Sequence, residues 1–234
     1  MQTLLRFRER LLPLLAGFLV FVCPACLHAA DDNAPDNSGW TVALQSQTLT
    51  IHHRKRKDSE IQEIRATGII DARPLIVRRV IDDTEEYPKF MPYVKEARIL
   101  SRQGAVLIGY QRLSIPLIHD RDCTLRIHCE TRRTQEGETS YCNRWEAANE
   151  LGPAEKPGVS RIRVNEGSWL LEPLNNGSQT RATYTVYSDS GGSLPAGLVN
   201  AANRTAVPRL FESVRKQARN EKYLSEKSPI ATSR

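Results

Sequence analysis

The sequence predicts an α+β domain: an antiparallel β-sheet packed on one long C-terminal helix, with a hydrophobic cavity between them. Three observations predict it. Strand-like segments follow one another from about residue 94 to 188 with only turn residues between them, and strands without intervening helices pair antiparallel. A single amphipathic stretch of helical period closes the chain, from about Pro195 to Lys222. The apolar stripe along that stretch is small at one end and bulky at the other.

In chain order, the first element is an export signal. Arg6, Arg8 and Arg10 form a basic start, Leu11 to Val22 an apolar run, and His28-Ala29-Ala30 precedes the acidic Asp31-Asp32. That is the pattern of a signal peptide over residues 1–30. The apolar run falls short of the ~20 residues of a membrane span; an uncleaved anchor is the alternative. Cys26 has Cys23, not Leu, three residues before it, so lipoprotein processing is not expected. The protein is expected to be exported, to the periplasm or outside the cell. Residues 31–39 read as a disordered linker, residues 223–234 as a disordered tail, and 40–222 as one domain.

The chain of 234 residues is 40% hydrophobic and 26% charged, ordinary for a globular protein and unlike a collagen-like or disordered one. Its formal charge of +6 includes Arg6, Arg8, Arg10 and Glu9 of the signal. The remaining excess is too mild to imply a nucleic-acid partner.

Thr48–Arg56 and Ile61–Ile70 read as a hairpin around Lys57-Asp58-Ser59. Pro74 opens a short helix carrying Leu75, Val77, Val80 and Ile81. Tyr87-Pro88 ends that region, because the residue before proline avoids helix. Strands follow near 94–100, 105–115, 121–131, 139–148, 160–171 and 180–188, separated by Gly-, Asn- and Pro-containing turns. Gly167 interrupts the alternation between Val164 and Trp169, which predicts a bulge. In the closing helix, Leu198, Val199, Ala202, Ala206, Leu210, Val214 and Ala218 form the stripe, and Pro208 removes one hydrogen bond or kinks it. Ala201, Ala202 and Ala206 leave volume unfilled where Leu210, Phe211 and Val214 fill it. A cavity is therefore expected beside the first half of this helix, the alternative being close alanine packing.

Export places Cys123, Cys129 and Cys142 in an oxidising compartment, and three is an odd number. A Cys129–Cys142 cross-strand disulfide is opposed by parity: setting Ile127 opposite Trp145 puts the two cysteines on different faces. A bulge would rescue the bridge. The cysteine spacing matches no zinc motif, and neither a metal nor a cofactor is expected.

The segment VIDDTEEYPKFMPYVKEARIL at 80–100 resembles the Tyr-Pro-x-Phe-x-Pro stretch of the polyketide cyclase/START-like superfamily. HDRDCTLRI (119–127), NEGSWLLEP (165–173) and LPAGLVNAANRTAVPRLFESVR (194–215) are similar to START-type lipid-transfer domains. The order of the four segments carries the resemblance, which covers roughly residues 40–222. It implies the helix-grip fold, a curved sheet wrapped around the C-terminal helix. It also implies non-covalent binding of a lipid or other hydrophobic small molecule, with transient contact with a membrane surface. Burying a chain of fifteen to twenty methylenes stabilises by ~12–16 kcal/mol gross at ~0.8 kcal/mol each, against association costs of ~4–15 kcal/mol.

Arg121 shares a strand face with Leu125 and Ile127, and Glu166 with Ile162 and Val164, so the pair is a candidate head-group anchor; each side chain near a strand end also has water within reach. Tyr110, Trp145, Trp169 and Tyr184 are candidate tunnel walls or plain core. Asn200 occupies the position of the family's helix asparagine and is a candidate ligand contact, the alternative being a solvated helix residue. Phe90-Met91-Pro92 falls where relatives place an entrance loop. The basic run 52–57 is a candidate contact for anionic lipid or a solvated hairpin tip. His119-Asp120-Arg121-Asp122 does not converge on one site, since neighbouring strand residues point to opposite faces. The sequence lacks Gly-x-Ser-x-Gly, His-Glu-x-x-His and a glycine-rich phosphate loop. A carrier is the leading reading; a cyclase or hydrolase on the same fold and a ligand-free interaction module are the alternatives.

Overall fold

The computed structural model of the protein describes residues 39–116, 118–135, 137–190 and 194–225, which fall in one compact unit. The export signal, residues 31–38 of the linker and residues 226–234 of the expected tail lie outside the described residues.

Ten strands form one sheet: β1 (Thr41–Gln45), β2 (Leu49–Lys55), β3 (Gln62–Ile70), β4 (Val94–Gln103), β5 (Val106–Leu113), β6 (Asp120–Arg133), β7 (Thr139–Ala147), β8 (Val159–Arg161), β9 (Val164–Leu174) and β10 (Gln179–Asp189). Their order is β1-β2-β3-β10-β9-β7-β6-β5-β4, antiparallel throughout this path, and β8 adds in parallel to the start of β6. Among the described residues, four α-helices accompany the sheet: α1 (Pro74–Asp82), α2 (Tyr87–Phe90), α3 (Ala196–Gln217) and α4 (Glu221–Leu224).

The main core lies between the sheet and two helices. Ile76, Val77, Val80 and Ile81 of α1 and Val207, Phe211 and Val214 of α3 meet Ile51, Ile64, Ala66, Ile70 and Leu171. Phe211 lies flat on Gly68: a Cβ there would stand 2.9 Å from the ring.

Several elements differ from the sequence reading. Strand β1 was not expected: all five of its residues are exposed, and its short alternation of Val42 and Leu44 marks no buried face. Tyr87 is helical at φ −50°, ψ −41° despite preceding proline. Pro88 sits in the first turn of α2, where its missing N–H costs nothing. The long C-terminal helix stops at Gln217, and Asn220 caps the separate α4 by accepting from the Lys222 N–H at 3.0 Å. The expected tail begins too early. Tyr223 is buried and donates to Asp83 Oδ2 at 2.9 Å, and Arg79 donates to the carbonyls of Tyr223 and Ser225.

The expected single strand 160–171 is two strands. Chain 162–163 crosses from β8, beside β6, to β9, beside β7. This break, not a bulge at Gly167, shifts the alternation: Ile162 is buried, Val164 is 40% exposed and Asn165 is buried again, while pairing through Gly167 is continuous. Gly167 is present because the Trp145 indole occupies the place of a side chain, 2.5 Å from where a Cβ would stand.

Ile127 pairs with Trp145, as parity required, and Cys142 pairs with Glu130 while Cys129 pairs with Asn143. The three cysteines are free thiols.

Candidate functional site

A cavity of about 630 Å³ lies between the concave sheet and α3, within the range of small-molecule sites. Its helix wall includes Leu198, Val199, Ala201, Ala202 and Ala206, the small half of the stripe, and extends to Val207 and Leu210, which line the cavity rather than close it. The bulky half, with Phe211 and Val214, belongs to the packed core. The size gradient along α3 thus sets where the helix stands off the sheet.

The sheet wall is apolar and aromatic. Leu125, Ile127 and Cys129 project from β6, Trp145 from β7, Trp169 from β9 and Tyr184 from β10. Tyr184 stacks on Trp145 at 5.7 Å and meets Trp169 at 4.7 Å; Trp169 continues to Phe211 at 5.3 Å. Trp145 Nε1 donates to Asn165 Oδ1 at 3.0 Å, which fixes the indole. Burial pushes the Tyr184 hydroxyl pKa well up. Burial likewise pushes the Cys129 thiol up to about 11, so it stays protonated and unreactive.

One end of the cavity is charged. Arg121 faces inward and is 4% exposed. Its Nε donates to Ser190 O at 3.1 Å and its Nη1 to His119 O at 2.5 Å. Burial lowers its pKa. The next residue, Asp122, points to the opposite face, where Arg161 grips it at 2.7 and 3.2 Å and Tyr110 donates to it at 3.1 Å. At the other end, Asp82 accepts from Arg78 Nε at 3.0 Å and from Asn143 Nδ2 at 2.8 Å.

Of the seven candidate site residues, Arg121, Trp145, Trp169 and Tyr184 face the cavity. Tyr110 borders it from behind, since Gly109 and Gln111 alternate with it on the inner face and its hydroxyl is held by Asp122 in the outer layer. Glu166 and Asn200 are placed elsewhere. Glu166 follows the parity of β9 outward and accepts from Arg56, so it is no partner for Arg121. Asn200 clamps α3 to the turn between β2 and β3: its Nδ2 donates to Glu60 O at 3.1 Å, and its Oδ1 accepts from Gln62 N at 2.9 Å. Both faces of the amide are occupied.

The basic run 52–57 is largely neutralised in place: Arg54 and Arg56 share Glu63, and Lys55 pairs with Glu60. Sequence reasoning missed Asn143, Asn165 and Gln111. Asn143 lies two residues before Trp145 on β7, and that spacing alone would have placed it on the inner face.

The mouth is lined by Ile115, Pro116 and Ile118 between β5 and β6, by Leu194 and Leu198 at the start of α3, and by Pro92 and Tyr93. Leu198 is 52% exposed. Tyr93 adopts φ +64°, and its hydroxyl accepts from Arg209 of α3 at 2.7 Å, bridging the 91–94 segment to the helix. Phe90 packs against the core and is not part of the mouth.

A curved sheet holding a helix at arm's length around an apolar chamber is the architecture of a hydrophobic-ligand binding fold. The chain belongs to the family described as polyketide cyclase/dehydrase and lipid transport, whose model matches residues 71–215. It is 26% identical over 163 residues to an uncharacterized protein of Pseudomonas aeruginosa, covering 69% of this chain and 78% of that one. It is 24% identical over 186 residues to the phosphatidylcholine transfer protein of Rattus norvegicus, covering 77% and 84%. The crystal structure of a STAR-related lipid transfer protein fragment from Xanthomonas axonopodis superposes with a TM-score of 0.69 at 24% identity, covering 78% of this chain and 99% of that one.

Proposed function

We propose that the protein binds a lipid or other hydrophobic small molecule non-covalently in this cavity and carries it between membranes. The observation that carries the reading is the chamber itself, apolar along its length, with Arg121 at one end and Asp82 and Arg102 toward the other. The relatives named for lipid transfer support it. An enzymatic role finds little support: among the described lining residues there is no histidine, the carboxylate Asp82 is held by Arg78 and Asn143, and the thiol Cys129 stays protonated. Export is read from the pattern of residues 1–30, and the working compartment is then the periplasm or the outside. The apolar rim of Ile115, Pro116, Ile118 and Leu198 is suited to a membrane surface during loading.

The test is native mass spectrometry of the protein isolated from its native host. An added mass removable by organic extraction is expected. A bare mass, together with no uptake of fluorescent fatty-acid or sterol probes, overturns the reading. Leu198→Asp is expected to slow ligand exchange with vesicles several-fold, by more than it weakens equilibrium probe binding.

A further inference from the structure

Arg121 enters the cavity as a cation with no carboxylate beside it. Guanidinium has five N–H donors and keeps its proton under all ordinary conditions. Two of the five are taken, by the carbonyls of Ser190 and His119. Among the described residues no hydrogen bond engages Nη2, and Arg121 lines the chamber.

The described acids around it are engaged elsewhere or turned away: Asp189 alternates with Ser188 and Ser190, which line the chamber. Asp120 is engaged by Arg112 at 2.8 Å and Lys95 at 3.1 Å. Asp122 is gripped by Arg161 on the far face, and Glu166 pairs with Arg56. Asp82 stands at the other end of the chamber, beside Asn143, whose strand partner is Cys129. From Arg121 to Cys129 along β6 is ~26 Å at the usual strand rise. A buried guanidinium without a counter-charge is costly, and two backbone carbonyls offset only part of that. A planar fork with its Nη2 edge open matches a carboxylate or a phosphate.

We propose that the cavity's ligand carries an anionic head group, a carboxylate or a phosphate, seated on the open edge of Arg121, with its apolar tail directed along β6 past Leu125 and Ile127 toward Cys129. This rests on the carrier reading and adds the ligand's charge and polarity of insertion. The head lies at the end of β6 nearest the rim residues Ile115 and Ile118, so the tail enters first.

The experiment compares matched pairs on the delipidated protein by isothermal titration and native mass spectrometry at pH 8: palmitate against hexadecanol, and dioleoyl phosphatidate against dioleoylglycerol. An acid-over-neutral preference of tenfold or more in at least one pair is expected, and the pair that shows it separates a free fatty acid from a phospholipid source. Arg121→Met is expected to erase the preference while retaining the neutral partner, and Arg121→Lys to keep most of it. The wild-type preference is read without any variant. Equal affinity within both pairs, or a preference that survives Arg121→Met, overturns the inference and leaves the carrier reading standing. No binding of any of the four removes both.

Discussion

The two halves of α3 share one helix and one sheet yet do opposite things. Toward its C-terminus, Phe211 and Val214 are fully buried in the core formed with α1 and β3. Toward its N-terminus, Ala201, Ala202 and Ala206 face an open chamber. Side-chain volume alone makes the difference: the bulky half anchors the helix, and the rigid helix then holds the small half away from the sheet. A protein interior normally leaves no void of this size. This one persists because the helix is fixed at both ends, by Phe211 on Gly68 and by Asn200 on the backbone of Glu60 and Gln62.

The comparison breaks most sharply at Phe211. Phe211→Ala is expected to lower stability by about 3–5 kcal/mol, read by urea denaturation, because the ring fills the contact among Gly68, Trp169 and the helix. A loss below about 1 kcal/mol would show that the C-terminal half is not the anchor. At the other fixed point, Asn200→Ala leaves the Glu60 carbonyl and the Gln62 N–H without their partner. It is expected to cost about 1–3 kcal/mol with probe affinity unchanged. A selective loss of affinity at unaltered stability would return Asn200 to the cavity as a ligand contact.

Much of this division was legible in the sequence. The size gradient on α3 located the chamber, and the pairing of Ile127 with Trp145 followed from the alternation on two adjacent strands. What was illegible has physical causes. Strand β1 lies at the edge of the sheet with all five residues exposed, so its short alternation of Val42 and Leu44 marks no buried face. The parity break at 162–163 reflects a chain that leaves β6 for β7, a tertiary event that local alternation reports only as an irregularity, and it was assigned to Gly167 instead. That misplacement turned Glu166 inward and supplied Arg121 with a partner it does not have. Asn200 looked like a binding residue because the resemblance places it at the family's helix asparagine, but a buried amide there is equally suited to a ligand or to backbone. Only the approach of the β2–β3 turn decides between them.

The open half makes the complementary prediction. Ala202→Leu places three extra carbons in the chamber. In a filled core such overpacking costs about 1–3 kcal/mol; here the change in stability is expected to stay below that range while probe affinity falls tenfold or more. A large loss of stability with affinity retained would mean that Ala202 packs against the sheet and the chamber lies elsewhere.

The smallest effect is expected at Tyr184, and it sharpens the contrast between wall and anchor. Its ring is held between Trp145 and Trp169, but among the described residues no hydrogen bond engages its hydroxyl. Tyr184→Phe keeps the ring and removes only that group, so no intramolecular bond is lost and stability should move by no more than about 0.5 kcal/mol. A hydroxyl that touches only the apolar tail of a ligand contributes nothing to its affinity, and the variant should then bind hydrophobic probes at least as well as the parent. Its measured affinity against a series of tails, plain and hydroxylated, reads whether the middle of the chamber selects by shape alone. A several-fold loss confined to hydroxylated tails would place a polar contact halfway along the wall, and the chamber would cease to be a simple apolar passage between its charged ends.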